Sequence, residues 1–442
     1  MKKSLYVIGV LAVAVFTTMN LLAGSVDYLS NQSAEFMRTL NRNAAIDAAD
    51  AVNYNPAGVV KMQDGLFANA SGQYIMKTYT AEDNDPNHFF NTKEYKSDVP
   101  SIIPNIYALY KQNNWAAFAA FTVPAGGGKL EFGEGTPMLR SALYQQVVTA
   151  TYEYLISLGT PAENAATMAA STASDVVDNI DKLTLESMYY AGTLGGAYKI
   201  NDMFSVSLGA RYILGNKTIN LTAKEEDPYY TDGKDIADLE LEASGFGGVI
   251  GFNASPMPEL NIGVRYETVT KLEWDTTVNT GDAAVNQLGY ADGKTEKKDL
   301  PALFALGVSY DIMPELKAST TFTYYFIKQA KWEHYEGTKT NKEYDNGFDA
   351  GLAGEYNIMP NLLVSAGYLY SKVGGNDKTW NDFEMALDSN SIACGARYEI
   401  IPGLNVNLGL CWTMYINGTN ESDVTYTKDA KIIALGVEYK FL

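Results

Sequence analysis

The stretch LNVNLGLCWTMYI, from Leu404 to Ile416, decides the fold class, because apolar and other residues alternate along it. In an extended chain one face would carry leucine, valine, tryptophan, methionine and isoleucine. The opposite face would carry asparagine, glycine, cysteine, threonine and tyrosine. This alternation predicts a β-strand with one apolar face. Strands that face lipid and strands of a soluble sandwich share the pattern, so one strand leaves both classes open.

The connections between the alternating stretches favour a transmembrane barrel. Short turns of similar form recur along the chain, and they alternate with long polar loops. Tight turns at one end and long loops at the other are typical of outer-membrane β-barrels. The short turns are YKIND (Tyr198–Asp202), YDIMPE (Tyr310–Glu315), YNIMPN (Tyr356–Asn361), YEIIPG (Tyr398–Gly403), KQNN (Lys111–Asn114) and SPMPE (Ser255–Glu259).

We therefore predict an all-β fold, an antiparallel transmembrane barrel of about fourteen strands over residues 65–442. Closure pairs every backbone donor, as a bilayer requires, and an even number of strands places both termini in the periplasm. The predicted spans are 65–80, 101–111, 114–124, 187–199, 203–224, 236–254, 258–277, 298–312, 315–333, 346–357, 361–373, 388–400, 404–418 and 430–442.

The N-terminus predicts export. Residues 1–23 combine a basic start, an apolar stretch from Leu5 to Phe16 and a small residue, Ala23, before the cleavage point, as signal peptides do. The apolar stretch is shorter than the roughly 20 residues of a membrane-spanning helix. The chain has 31 tyrosines, 38 glycines and a net charge of −19. Tyrosine suits the aromatic girdles of an outer-membrane barrel, and the acidic charge argues against a nucleic-acid partner.

One loop, residues 136–187, predicts two helices. Leu139, Leu143 and Leu155 recur at helical spacing in the first helix, which Gly159 ends. Thr160–Glu163 predicts a capping box at the start of the second helix, with proline at its first position. The hairpin is either an extracellular decoration or an apolar landing site for a hydrophobic substrate.

Residues 24–64 precede the first predicted strand and form a segment rich in small residues that also carries Arg38 and Arg42. The segment is too short for a domain, and we predict that it is a hatch, or plug, inside the barrel. No regular strand or helix is expected through Asn55, Pro56, Ala57 and Gly58, because proline and glycine flank the alanine.

The sequence AEFMRTLNRNAAIDAADAVNYNPAG (Ala34–Gly58), with its Asn-Pro-Ala triplet, resembles the FadL/TodX family of outer-membrane transporters. The resemblance extends over the mature chain in strand number, hatch position and helical loop. It implies passive uptake of long-chain fatty acids or other hydrophobic compounds by a monomer without a cofactor. It also implies that the hatch blocks the lumen and that the Asn-Pro-Ala turn lies against a kinked third strand.

The residues themselves also predict a kink. Pro104 and Pro124 fall in one predicted hairpin, where proline has no donor for the ladder. Ala125, Gly126, Gly127 and Gly128 follow Pro124 and allow a bend. We predict a lateral opening here, through which an apolar ligand reaches outer-membrane lipid. The alternative is that the third strand simply ends at this point.

The last strand carries Gly436, Tyr439 and Phe441, which resemble the C-terminal pattern read by the barrel-assembly machinery. That pattern usually ends on the aromatic residue, whereas Leu442 follows here. We therefore predict an assembly signal at this end that departs from the pattern by one residue.

Other functional classes find less support in the sequence. A general polar porin is the first alternative, and a surface enzyme or adhesin is the second. His88 and His334 lie near loops without a catalytic context, and we expect both to be exposed to solvent. The acidic run Glu225–Asp227 is either a calcium site or a solvated loop. No motif identifies the ligand-contacting residues of the lumen.

The two cysteines, Cys394 and Cys411, invite a disulfide, because an exported chain passes through an oxidising compartment. Strand parity places Cys394 on the lipid face and Cys411 on the polar face. Side chains on opposite faces cannot be bridged without distortion. We therefore predict two free thiols.

Overall fold

The computed structural model describes residues 33–85, 93–224, 235–281, 285 and 289–441. The predicted signal peptide, His88 and the acidic run Glu225–Asp227 lie outside these residues. Nineteen described strands form one sheet. They are β1 Gly65–Asp83, β2 Glu94–Ser97, β3 Ser101–Gln112, β4 Trp115–Gly133, β5 Ile180–Lys199, β6 Phe204–Ala223, β7 Asp235–Met257, β8 Leu260–Glu267, β9 Glu273–Thr280, β10 Thr295–Lys298, β11 Leu303–Met313, β12 Leu316–Tyr325, β13 Trp332–Glu333, β14 Gly347–Met359, β15 Leu362–Lys372, β16 Ser389–Ile401, β17 Leu404–Tyr415, β18 Gly418–Thr419 and β19 Val424–Lys440.

Fourteen strands form the wall of a closed antiparallel barrel. The ring closes where β1 pairs with β19, from Phe67 opposite Lys440 to Asp83 opposite Val424. The short strands β2, β9, β10, β13 and β18 extend the wall strands at the end with the long loops. The predicted fold class and strand number are confirmed. Closure is the physical requirement here, because an open edge in lipid would leave backbone donors unpaired.

The wall shows the alternation expected of a lipid-facing sheet. Along β3 every second residue is exposed, so that Ile102 is 70% exposed while Ile103 is 7% exposed. Phe246 and Leu194 are 74% and 69% exposed on the same outer surface. Large apolar side chains on the outside of a soluble protein would be unfavourable, whereas in a barrel they contact lipid.

Three of the short turns share one backbone irregularity. The registers shift between Asp311 and Met313, between Asn357 and Met359, and between Glu399 and Ile401. These positions are equivalent in the three similar turn sequences. The recurring turn motif therefore specifies a recurring bulge, which gives each hairpin the same local twist.

Three predicted strands are interrupted, which corrects the spans 258–277, 298–312 and 315–333. The breaks lie between β8 and β9, between β10 and β11, and between β12 and β13. Pro301 falls in the middle break, where it cannot donate to a ladder. The Asp299 carboxylate joins the other two breaks by accepting hydrogen bonds from the backbone N–H groups of Leu272 (3.1 Å) and Lys331 (3.2 Å).

Two short helices, α1 (Ala34–Met37) and α2 (Ala51–Tyr54), precede the first strand. The long loop forms the two predicted helices, α3 (Pro137–Ser157) and α4 (Ala162–Asp178). The loop is shorter than predicted, since β5 already begins at Ile180. The predicted capping box is also wrong. Pro161 is the N-cap of α4 and has no side-chain acceptor to offer, so no side chain caps the helix. In the described part of the chain, no helix is long and apolar enough to cross a membrane.

Both cysteines are free, as predicted. Cys394 lies opposite Leu410 and is exposed, whereas Cys411 lies opposite Ala393 and is buried. The two residues lie on adjacent strands but on opposite faces, because the register places them one residue apart.

Candidate functional site: the hatch and the bend in the third wall strand

The described part of the hatch, residues 33–64, contains two short helices, α1 (Ala34–Met37) and α2 (Ala51–Tyr54), and a 3-10 turn (Gly58–Lys61). Most of its residues are buried although they contribute no strand to the wall. α1 packs near β16, β17 and β19, while α2 and the 3-10 turn pack near β4, β5 and β6. A segment that contacts wall strands on opposite sides of the ring lies inside the barrel.

The hatch rests on an apolar base. Its valines and alanines cluster with the inward-facing side chains of one sector of the wall. Burial of these apolar side chains stabilises the docked hatch, and this contribution does not depend on directional contacts. The hatch members include Ala49, Ala51, Val52, Val59, Val60 and Met62, and the wall members include Phe67, Tyr107, Leu109, Ala116, Phe118 and Ala120.

A buried carboxylate ties α1 to the wall. Glu35 is fully buried and accepts hydrogen bonds from the side-chain amides of Asn69 (2.7 Å) and Asn407 (2.9 Å). Burial, reinforced by the nearby Asp50 carboxylate, raises the pKa of Glu35 to about 7, although Arg42 opposes the shift. The carboxyl group therefore titrates close to neutral pH.

Two arginines of the hatch also meet acidic partners. The Arg38 guanidinium, fully buried, donates to Glu355 of the wall and to Ser365 Oγ (3.3 Å). Arg42 pairs with Asp50 (2.5 Å) and Asp47 (2.8 Å) within the hatch. Charges buried in this way need their partners, because an unpaired one is costly in a low dielectric.

The Asn55–Gly58 turn lies elsewhere than predicted. The Asn55 amide donates to Asn253 Oδ1 of β7 (2.7 Å), and the Ala57 carbonyl accepts from Ser205 Oγ of β6 (2.6 Å). The expectation that the Asn-Pro-Ala turn lies against the bend near Pro124–Gly128 is therefore wrong. The reason is steric, because Gly251 of β7 leaves room for Pro56 and Ala57.

Inward-facing glycines make room for the rest of the hatch. An added Cβ at Gly409 would lie 2.7 Å from the Cβ of Met37, and one at Gly436 would lie 2.9 Å from the Cβ of Ala34. Both distances are shorter than real Cβ atoms show. We call the full set the glycine belt: Gly251, Gly263, Gly307, Gly367, Gly395, Gly409 and Gly436. Sequence reasoning missed this set. The signal that could have revealed it is the recurrence of glycine on the polar face of successive predicted strands.

The third wall strand, β4, bends where the sequence places Pro124. Its register with β5 shifts between Thr122 and Ala125 and again between Ala125 and Gly128, and the strand then continues to Gly133. The strand therefore does not end at Pro124. Alternation is lost in the bend, where residues 122–125 are all buried. Gly126 and Gly128 have φ angles of 93° and 73°, which glycine adopts without strain.

The bend interrupts the seam between β3 and β4. The ladder runs from Gln112 opposite Trp115 to Ile106 opposite Phe121 and stops there. Beyond that pair the regular ladder between β3 and β4 does not continue, although β3 itself runs on through Pro104 to Ser101. Pro104 and the run from Pro124 to Gly128 thus lie along the same part of the seam, where the ladder between β3 and β4 is interrupted.

A cavity connects the hatch with this bend. Its accessible volume is about 30 Å³, room for about two water molecules. A larger ligand can therefore pass only when side chains or the hatch move. The apolar lining comes from Phe36, Leu40, Tyr54, Pro124 and Leu369, and the polar lining includes Arg211, Arg265 and Glu267.

The remaining candidates lie away from this cavity. His334 is 7% exposed and its Nε2 lies 2.7 Å from the Gly289 carbonyl oxygen, so the expected solvent exposure is wrong. The described residues contain no cluster of three or more side chains arranged to hold a metal. Tyr439 and Phe441 are exposed on the outer face with ring centroids 4.7 Å apart, while Gly436 faces the hatch.

Sequence comparisons give no match, either to a family model or to a curated protein. Solved structures do match. A Pseudomonas aeruginosa FadL homologue has a TM-score of 0.66 at 14% identity, covering 94% of this chain and 100% of its own. The Ralstonia pickettii toluene transporter TbuX has a TM-score of 0.60 at 12% identity, covering 95% and 100%.

The toluene transporter TodX of P. putida is similar over 90% of this chain and 96% of its own, with a TM-score of 0.59 at 12% identity. At such low identities the similarity concerns the fold. The resemblance seen in the sequence is thus confirmed at that level, and this chain shares the barrel fold of the FadL-type transporters.

Proposed function

We propose that the protein is an outer-membrane channel for the passive uptake of hydrophobic compounds. A ligand would enter the lumen, reach the cavity above the hatch and leave sideways through the seam between β3 and β4. One observation carries the proposal. Pro124 lines the cavity and also lies in the bend that interrupts the seam. A hydrophobic ligand on this path avoids a direct crossing of water.

The hatch supports this proposal over a general polar porin. Hatch residues contact the inner wall through apolar side chains and a buried ion pair, and the cavity between the hatch and the bend is small. A polar solute would need a continuous water path, which a packed lumen does not provide. The similar solved structures, named as transporters of toluene or as a FadL homologue, also favour a transporter over an enzyme.

The ligand class follows from the lining of the cavity. Apolar and aromatic side chains line part of the cavity beside polar and charged ones, so long-chain fatty acids and aromatic hydrocarbons are both candidate ligands. We further propose that the protein acts as a monomer with both termini in the periplasm. β1 begins and β19 ends at the same rim, as the pair Phe67–Lys440 shows. Tyr439 and Phe441 would then present the assembly signal to the barrel-assembly machinery from the outer face.

The test restores the ladder and measures uptake. In the double variant Pro124→Val, Gly126→Thr, the bend regains a donor and loses one of its two left-handed glycines, so we expect slower uptake of a fluorescent fatty acid and of toluene into proteoliposomes. The matched control is Gly133→Thr on the same strand, where an added Cβ meets nothing within 4 Å. Normal uptake by the double variant would show that the seam is not the route.

Planar bilayers test the alternative function. We expect the purified protein to show no large steady conductance, because the hatch fills the lumen. A large steady ionic current through the unmodified protein would instead establish an open polar porin.

A further inference from the structure

The second wall strand has a gap at the level of the bend. β2 ends at Ser97 and β3 begins at Ser101, so residues 98–100 separate them. On the neighbouring strand β1, Tyr79 lies opposite Ser97 and Ile75 lies opposite Ser101. Lys77 lies midway between those two residues of β1, which places it beside the gap.

Across this interruption in the strand pairing, Lys77 contacts the third wall strand. Its side chain is 3% exposed, and its ammonium donates to the carbonyl oxygen of Gly127 within the bend. Ser101 Oγ donates to the same oxygen at 3.2 Å. The strands approach closely here, since Gly128 has no room for a Cβ beside the Ser101 side chain. A lysine of β1 is thereby joined to β4 across an interrupted strand.

The seam is therefore bounded on both sides of this contact. At one end the ladder closes it with the pair Ile106–Phe121. At the other end the backbone N–H of Glu131 donates to Ser97 Oγ at 2.8 Å. Between these two points, the hydrogen bonds to the Gly127 carbonyl cross the seam. A hydrogen bond from a charged donor in a buried site is stronger than a neutral one.

We propose that Lys77 is the latch of the lateral opening: its ammonium holds the bend of β4 against β1 and β3, and the seam opens when this contact breaks. The proposal rests on the proposed function insofar as the opened seam is the ligand's exit. It assigns control of the exit to a residue of β1, outside both the hatch and the bend itself. Ser101 has the supporting role, because its hydroxyl shares the acceptor but carries no charge.

The experiment measures opening directly. In a variant with Cys394→Ser and Cys411→Ser, a single reporter thiol is introduced by Ala125→Cys, a position that is 3% exposed. Proteoliposomes are treated with a maleimide carrying a dodecyl chain, which dissolves in the bilayer. Adding Lys77→Met keeps the length of the side chain and removes the donor. A hydrogen bond to a charged group contributes more than a neutral one, so its loss should make the open seam more populated. We therefore expect labelling of the buried thiol to accelerate by about tenfold or more.

Lys428→Met is the matched control. Lys77 Nζ lies 5.7 Å from the centroid of the Tyr79 ring. Lys428 of β19 is also buried and packs over that ring, 4.4 Å from its centroid, as well as over Tyr415. It therefore reports the general cost of losing a buried cation. Labelling should stay near the parent rate in this variant. Equal acceleration by both substitutions, or unchanged labelling in Lys77→Met, would overturn the latch. Barrels that have not folded are excluded by their mobility on unheated gels.

A second measurement distinguishes failure of the latch from failure of the proposed transport function. Uptake of the fluorescent fatty acid is measured in the same vesicles. If labelling accelerates while no variant transports the probe, the latch stands and the proposed function fails. If the parent transports the probe but Lys77→Met leaves labelling unchanged, the function stands and the latch fails.

Discussion

The glycine belt and the bend of β4 use the same residue type for different physical reasons. In the belt, Gly409 and Gly436 keep room for hatch atoms that approach within 3 Å of the place a Cβ would occupy. In the bend, Gly126 and Gly128 take left-handed φ angles. The belt glycines make room for the hatch, whereas the bend glycines are needed for the left-handed path of their own chain and also for the close approach of Ser187 and Ser101 on neighbouring strands. Substitutions should therefore have different effects in the two regions.

The largest effect is expected from filling the belt. In Gly409→Leu the new side chain would occupy the space of Met37, so α1 could not dock and the lumen should open to ions. We expect steady conductance in planar bilayers where the parent shows almost none. The matched control is Gly354→Leu in β14, where an added Cβ meets nothing within 4 Å. A closed Gly409→Leu channel would contradict the steric role of the belt.

The second-largest effect is expected from breaking the buried ion pair between Arg38 of the hatch and Glu355 of the wall. Arg38→Met leaves Glu355 buried without its partner, which costs on the order of 3–5 kcal/mol. The loss should lower the midpoint of urea unfolding or release the hatch to protease. Arg397→Met is the control, because the Arg397 side chain is 27% exposed and its pair with Asp47 spans 3.3 Å. Equal losses in the two variants would argue against a special role for the fully buried pair.

Alanine in the bend should have a smaller effect. Gly126→Ala and Gly128→Ala force a Cβ into the left-handed region, at a cost of about 1–2 kcal/mol each. The new methyl groups would also meet the Ser187 carbonyl oxygen and Ser101 Oγ, which adds to this cost. Gly133→Ala in the same strand has an ordinary φ and open space, so it should be neutral or slightly stabilising. Urea unfolding in detergent measures all three. If Gly133→Ala were as destabilising as the other two, conformational strain would not explain the bend glycines.

The smallest effect is expected from pH. The folded-state pKa of Glu35 is raised to about 7, so the docked hatch binds more protons than the released one between the ordinary pKa and this value. The contribution of Glu35 to docking is thus fully present in acid, below the ordinary pKa of a glutamate, and is lost as pH rises through about 7.

Protease digestion of the hatch at pH 5 and pH 8 tests this dependence, with the higher pH giving faster cleavage. Burial is the main cause of the raised pKa of Glu35; the Asp50 carboxylate adds to it, whereas Arg42 and the hydrogen bond from Asn69 lower the pKa. Glu35→Gln removes the titrating group and should make the two rates more similar. An unchanged pH dependence in that variant would assign the effect to another group.

Much of this architecture follows from local sequence. Alternation along single strands, as in Leu404–Ile416, predicts which face meets lipid, and the recurring turn motif predicts where the chain reverses. The bend could also be predicted from the sequence, because Pro124 and the three glycines after it are poorly suited to a regular ladder. Strand parity was enough to separate Cys394 from Cys411. These features depend on residues close together in the chain.

Only the tertiary structure decided how the hatch sits in the ring. The position of the Asn55–Gly58 turn depends on Asn253, Ser205 and Gly251, which are about 150 to 200 residues away. The latch contact between Lys77 and Gly127 likewise joins β1 to β4 across a gap in the strand between them. The sequence by itself determined the alternating strands and the bend near Pro124, whereas the breaks between β8 and β9, β10 and β11, and β12 and β13 were seen only in the structure. Which side chains meet across the lumen depends on the register of the closed barrel, because a shift of one residue would reverse every inward and outward position.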